Sequence, residues 1–295
     1  MDAADLRVFE AVARLGGMNR AAAELHTVQS NVTARIRTLE DELGLALFHR
    51  HSRGVALTPA GQRLLPFAGR LRQLLAEARR AVADDGTAKG PLTIGSLETT
   101  AGLRLPSLLA AYAEACPEVD LSLVTGTSAE LLDAVLDRKI EGAFVCGPAR
   151  HPDIEEMPVF AEELVVVTSR HAGGVDQALE KKSALKIVVF RAGCSYRQIL
   201  ETWLARRGIV GVRMLEFGTL EGILGAVAAG IGVSLLPEAI VAPAVNAGRI
   251  AIHRLAPAEA RVETVFVRRR DHHASSAFSA FLARLPSLAL ADAAE

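Results

Sequence analysis

The sequence predicts an α/β chain in which a small helical unit with a β-hairpin leads through one long helix into a doubly wound parallel sheet. Two observations carry this. Helical periodicity runs from Leu6 to about Ala83, is interrupted once by two brief apolar segments, and ends in the linker composition Asp84-Asp85-Gly86-Thr87-Ala88-Lys89-Gly90-Pro91. Beyond that linker, short buried apolar runs alternate with helical stretches. The 295 residues are 50% hydrophobic, enough to bury more than one core, which excludes disorder as the main state. A net charge of −1 excludes a uniformly basic nucleic-acid coat, so any contact with DNA must be local.

The charge distribution shows where that contact would lie. Residues 20–80 carry ten arginines against five acids, and clustered arginine is the footprint expected of phosphate contact. In this region Leu6, Phe9, Val12, Ala13 and Leu15 recur at helical spacing until Gly16-Gly17 stops the helix. Asn19 is placed to cap a second, short helix through Ala21, Ala22, Ala23 and Leu25, with Arg20 beside it. After the break His26-Thr27-Val28, a third helix buries Val32, Ile36, Leu39 and Leu43. Ser30, Thr33, Ala34 and Arg37 project the opposite way, flanked by Gln29, Asn31 and Arg35. Two helices with a short break, the second presenting a small polar face with arginines, suit entry into the major groove. There Gln and Asn pair with adenine and Arg with guanine.

After Gly44, the segments Leu45 to Phe48 and Val55 to Leu57 flank the turn His51-Ser52-Arg53-Gly54, a wing-like hairpin whose Arg50 and Arg53 are placed to reach phosphate or the minor groove. Thr58-Pro59 is an N-cap followed by proline at the first helical position, opening a helix to about Ala83. Along it Leu64, Ala68, Leu71, Leu75, Ala78 and Val82 form an apolar seam predicted to pair with a second copy of the chain.

Ala21-Ala22-Ala23-Glu24-Leu25, Gln29-Ser30 through Leu39-Glu40, Leu43-Gly44, Leu47-Phe48, Arg53-Gly54 and Leu57-Thr58-Pro59-Ala60-Gly61 together resemble the winged helix-turn-helix of LysR-type transcriptional regulators, and the likeness extends over the whole chain. The run Thr27 to Ile36 further resembles the subgroup around the Bacillus regulator YofA and the sarcosine-oxidase regulator SoxR. Val28 stands where the family usually has a capping Ser or Thr, which shifts capping to Thr27 or to nothing. Ala34 stands where an Arg is common, which moves the basic contact to Arg35 or Arg37. The resemblance implies a winged helix-turn-helix over residues 1–58 and a linker helix and hinge over 59–90. Residues 91–295 would form an effector domain similar to periplasmic binding proteins, with lobe I at 91–161 and 267–290 and lobe II at 162–266. It also implies double-stranded operator DNA and a small-molecule effector as partners, a homodimer or dimer of dimers, a cytoplasmic setting, and no cofactor or metal.

In that larger region Leu92 to Gly95, Val119 to Val124, Gly142 to Cys146, Leu164 to Thr168, Ile187 to Phe190 and Gly232 to Leu236 read as strands. Helices fall at about Leu103 to Ala115, Ala129 to Asp137, Ser195 to Arg207 and Leu220 to Ala229. Ligands are expected at the carboxyl ends of such strands. Ser96 with Glu98, Thr99 and Thr100, then Thr127 and Ser128, then Gly193-Cys194-Ser195-Tyr196-Arg197 occupy three of those ends. Unpaired amides at the last favour an anion. By resemblance, Ser96, Thr127, Ser195 and Tyr196 match positions lining the effector cleft, and Cys146 and Thr219 its walls. An effector carboxylate is expected at Ser96 and Thr127. Glu98 and Glu221 could accept hydrogen bonds from an amine, or serve as ordinary partners of helix dipoles.

Three cysteines without paired spacing fit a reducing compartment, and the N-terminus carries Asp2 and Asp5 with no apolar signal core. The longest uncharged stretch, Gly222 to Pro237, is shorter than the ~20 residues of a membrane span and reads as core. Cys194, at a helix N-terminus near Arg197, has the setting of an acidified thiol, so a redox sensor is one alternative function. A ligand-binding protein acting through protein contacts without DNA is another. No HExxH, Walker loop, GxSxG or CxxC motif occurs, and the pairs His49/His51 and His272/His273 lack partners at ligand spacing, so no enzyme is expected.

Overall fold

The computed structural model describes residues 1–51, 54–172, 177, 179 and 185–286. The chain divides into two compact units, Met1–Asp84 and Asp85–Glu295.

The first unit is built of α1 (Ala3–Leu15), α2 (Met18–Glu24), α3 (Gln29–Leu43), the hairpin β1 (Phe48–His51) and β2 (Gly54–Leu57), and α4 (Pro59–Ala83). Asp2 and Asp5 form a reciprocal capping box at the start of α1, and Gly16, with φ 68°, ends it in the left-handed conformation. Asn19 does not cap α2: Gly17 takes that place and Asn19 lies inside the first turn. The break after Gly16 is two residues shorter than the sequence suggests, because Gly17 is already extended and the helix starts at Met18. Val28 caps α3 without a side-chain hydrogen bond.

Phe9, Val12, Ala21, Val32, Ile36, Leu39, Leu47 and Phe48 close one core, on which Ala68 of α4 also packs. The predicted α4 seam is therefore split. Leu64 and Ala68 are spent on the unit's own core, whereas Phe67, Leu74, Leu75 and Val82 stand exposed.

The second unit begins with β3 (Gly90–Ser96), α5 (Glu98–Leu103), α6 (Leu105–Ala115), β4 (Val119–Thr125), α7 (Ser128–Leu136), β5 (Gly142–Cys146) and the long β6 (Ile154–Ser169). It continues through β7 (Lys186–Phe190), α8 (Ser195–Arg206), β8 (Arg213–Phe217), α9 (Leu220–Ala228), β9 (Ser234–Pro237), α10 (Glu238–Asn246) and β10 (Ile250–Arg254). It closes with α11 (Pro257–Ala260), β11 (Arg261–Arg269) and α12 (Ser276–Leu282).

The main sheet has the order β10-β6-β11-β5-β3-β4, with β9 also paired to β6. Strands β3, β4 and β5 are parallel, but β11 runs antiparallel to both β5 and β6, so the sheet is mixed rather than wholly parallel. The 16 residues of β6 explain how two lobes share it. Its residues Ile154 to Glu163 pair with β11, whereas Leu164 to Ser169 pair with β9 and β10. Strands β7 and β8 form a separate parallel pair, bridged to the second lobe through Ile187 and Val233. Aromatic rings of Tyr112, Phe144, Phe266, Phe278 and Phe281 fill the first lobe's core. Branched aliphatics and Trp203 fill the second. Among the described residues, no helix is long and apolar enough to cross a membrane.

Candidate functional site

In the first unit, burial of Val32, Ile36 and Leu39 turns the opposite face of α3 outward. Gln29, Ser30, Asn31, Ala34 and Arg37 are exposed there, and Thr33 is half-buried. Two of the amides are pre-oriented: Gln29 Nε2 donates to Thr33 Oγ1 at 2.9 Å, and Asn31 Nδ2 to Thr27 Oγ1 at 3.0 Å. Arg35 is turned back against α1, where Nη1 donates to Asp5 Oδ1 at 2.9 Å. Asn19 and Arg20 are exposed on α2.

One buried-end carboxylate ties α3 to the hairpin. Glu40 Oε1 accepts the backbone N–H groups of Leu47 at 2.8 Å and Phe48 at 3.2 Å, and Oε2 accepts from Arg50 Nη2 at 3.1 Å. Arg53 lies outside the described residues. The hairpin is fixed from below by Gly61 of α4, where a Cβ would stand 2.3 Å from the Leu47 carbonyl oxygen.

In the second unit a cleft opens where strand ends of the two lobes meet. Leu97, Glu98, Thr99, Thr125, Gly126 and Thr127 line it from the first lobe. Phe190, Arg191, Cys194, Tyr196 and Gly218 line it from the second. An apolar lining with a few convergent polar groups is that of a small-molecule site.

The lobes touch across this cleft at several points. Glu98 Oε1 accepts the Leu220 N–H of α9 at 2.7 Å, so Glu98 is indeed a helix-dipole partner, but of a helix in the other lobe. The Ala129 N–H reaches the Gly193 carbonyl at 3.4 Å. Gly193 has φ 92°, and a Cβ there would lie 2.8 Å from Thr127 Oγ1, so both its backbone and its neighbour demand glycine. At the floor, the Tyr196 hydroxyl donates to the buried Glu162 carboxylate at 3.0 Å. Burial and that carboxylate hold the phenol well above its ordinary range, keeping it a donor.

Of the residues expected in the cleft, Glu98, Thr99, Thr127, Cys194 and Tyr196 come together there. Ser96 is fully buried beneath it, its hydroxyl donating to the Leu97 carbonyl at 2.9 Å. Cys146 and Ser195 line a different groove with Gln198, Trp203 and Arg261. Ser195 bonds Ser128 there at 3.1 Å. Thr219 is exposed and caps α9 by accepting the Gly222 N–H at 3.2 Å, leaving Gly218 to face the cleft. Glu221 is exposed on the first turn of the same helix.

The acidified-thiol expectation is overturned. Cys194 is 6% exposed and burial raises its pKa, while Arg197 is engaged by Glu201 and Glu216. Cys146 is pushed up to about 11 by burial. Sequence alone takes Phe190 only as the end of a strand and does not single out Arg191, although the carboxyl end of that strand should mark both. Glu162 gave no local signal, since it sits within a strand.

Residues 3–62 match the family described as bacterial regulatory helix-turn-helix protein, lysR family, and residues 85–289 match the LysR substrate binding domain. The chain is 45% identical over 282 residues to the HTH-type transcriptional regulator YusT of Bacillus subtilis, spanning 96% of this chain and 94% of that protein. It is 42% identical over 282 residues to the regulator YofA of the same organism, with 96% and 97% covered. Its fold is similar to that of full-length CbnR solved with its target DNA, with a TM-score of 0.65, 26% identity, and 98% of this chain and 100% of that one covered.

Proposed function

This chain belongs to the LysR family of DNA-binding transcriptional regulators, and we propose that α3 reads operator DNA while a small molecule held between the two α/β lobes alters that binding. The observation that carries the DNA reading is the outward face of α3. Ser30, Ala34 and Arg37 stand on the side opposite Val32, Ile36 and Leu39, with Gln29 and Asn31 beside them. Gln29 and Asn31 suit adenine edges and Arg37 a guanine edge or a phosphate. Arg50 on the hairpin and Arg20 on α2 supply backbone contacts, which position the helix without reading sequence. The exposed apolar residues Phe67, Leu74, Leu75 and Val82 on α4 would pair two chains, giving two reading helices on a dyad site.

The test is binding of the purified chain to DNA upstream of its own gene across a salt series, with and without a panel of carboxylate and amino-acid metabolites. Specific binding that one metabolite alters supports both halves of the reading. Binding indifferent to sequence at every salt concentration removes the first half.

A further inference from the structure

The cleft contains one carboxylate whose two oxygens are differently placed. Oε1 of Glu98 accepts the Leu220 N–H at 2.7 Å, at the start of a nine-residue helix. Oε2 has no hydrogen-bond partner among the described residues. The carboxylate is therefore fixed in direction with one oxygen left for a donor. The adjacent Thr99 hydroxyl is 2% exposed and lines the same cleft beside the Tyr196 phenol, too poorly aligned with it for a good hydrogen bond. A polar group this deeply buried is costly unless something in the cleft satisfies it.

The opposite charge lies in the other wall. Arg191 lines the cleft with a side chain 57% exposed, held among the described residues only by Glu130 at 3.4 Å. Thr127 Oγ1 accepts the Glu130 N–H at 3.3 Å and keeps its own proton to donate. Between these groups Leu97 and Phe190 supply apolar surface.

We propose that this cleft is built for a small zwitterion carrying an ammonium and a carboxylate, that is, an amino acid, and that Glu98 is its specificity-determining residue. The free oxygen of Glu98 takes the ammonium, and Arg191 with Thr127 takes the carboxylate. A molecule with only a carboxylate gains the second pairing but brings like charge into a site that already holds Glu98. A plain amine gains only the first. Because Oε1 stays on Leu220, ligand binding preserves the interlobe hydrogen bond and favours the closed arrangement. The proposal rests on the cleft being the effector site.

The experiment is calorimetric titration of the full chain with the common amino acids, their N-methyl forms, and for each binder the matched deamino acid and decarboxylated amine. One amino acid should bind at least ~10-fold more tightly than both of its analogues. Glu98→Gln keeps an oxygen for Leu220 but loses the charge. It should cost that amino acid ~10-fold or more while leaving the deamino acid unchanged or tighter. Arg191→Gln, on an exposed side chain, should weaken the amino acid and the deamino acid alike. Equal or tighter binding of the deamino acid, unaffected by Glu98→Gln, overturns the role of Glu98 and leaves the effector reading standing. Binding by none of the three classes overturns both.

Discussion

Arg35, which sequence alone would place on the DNA-facing surface, is bonded to Asp5 of the first helix at 2.9 Å. The carboxylate side chain is 13% exposed and the guanidinium 41%, so the pair braces α3 against α1 from the edge of the core. Arg37, two residues on, is exposed. The two arginines should therefore separate in a salt series. Arg37→Ala should flatten the slope of log affinity against log salt by about 1, the loss of one phosphate contact. Arg35→Ala should leave the slope nearly unchanged and lower stability by no more than ~1 kcal/mol, as expected of a half-exposed pair. Reversal of these two outcomes would return Arg35 to the DNA contact.

Gly193 and Thr127 meet at the cleft mouth with no room for a methyl group. Gly193→Ala is expected to destabilise the second unit by ~1–3 kcal/mol, combining positive-φ strain with a wedge between the lobes. Denaturant unfolding measures it. Adding Thr127→Ala should recover only part of the loss, because the backbone strain remains and Ala129 Cβ would still lie 3.0 Å away.

Tyr196→Phe removes one donor from a carboxylate that is itself 5% exposed, so a loss of ~1–3 kcal/mol is expected in the same measurement. A change below ~0.5 kcal/mol would mean that Glu162 finds a replacement donor.

The thiols should be inert near neutrality. With the Cys146 thiol raised from 9.0 to about 11, its thiolate is about a hundredfold scarcer than that of an ordinary cysteine. Alkylation by iodoacetamide at pH 8 should be slow in the folded chain and fast in urea. Oxidant should not change DNA binding, either in the chain itself or in its Cys194→Ser variant. The raised value also sets a direction for stability. The folded chain holds the proton that the unfolded chain releases, so the contribution is full below pH 9 and is lost as pH climbs towards 11.

Leu74→Glu on the exposed face of α4 should shift the chain towards monomer in sedimentation without lowering the unfolding midpoint of the first unit, since Leu74 is 43% exposed. The same substitution at Ala68, which is 1% exposed, should unfold that unit instead.

The sequence by itself determined the elements whose signal is local. The α3 stripe of Val32, Ile36 and Leu39, the Thr58-Pro59 helix start and the strand-helix alternation all follow from periodicity and capping, which depend on neighbours within a few residues. Family-specific motifs added the winged helix-turn-helix and the two lobes. Tertiary structure decided everything that depends on which distant groups meet. It turned Arg35 towards Asp5, rotated the free face of α4 to Phe67 and Leu74, and sank Ser96 below the cleft while raising Arg191 into it. It also buried Cys194, so that desolvation outweighs the helix end and the nearby arginine, and it carried Glu98 across to the amide of Leu220, 122 residues away. Burial and opposing charge belong to the assembled fold, and no local spacing in the chain encodes them.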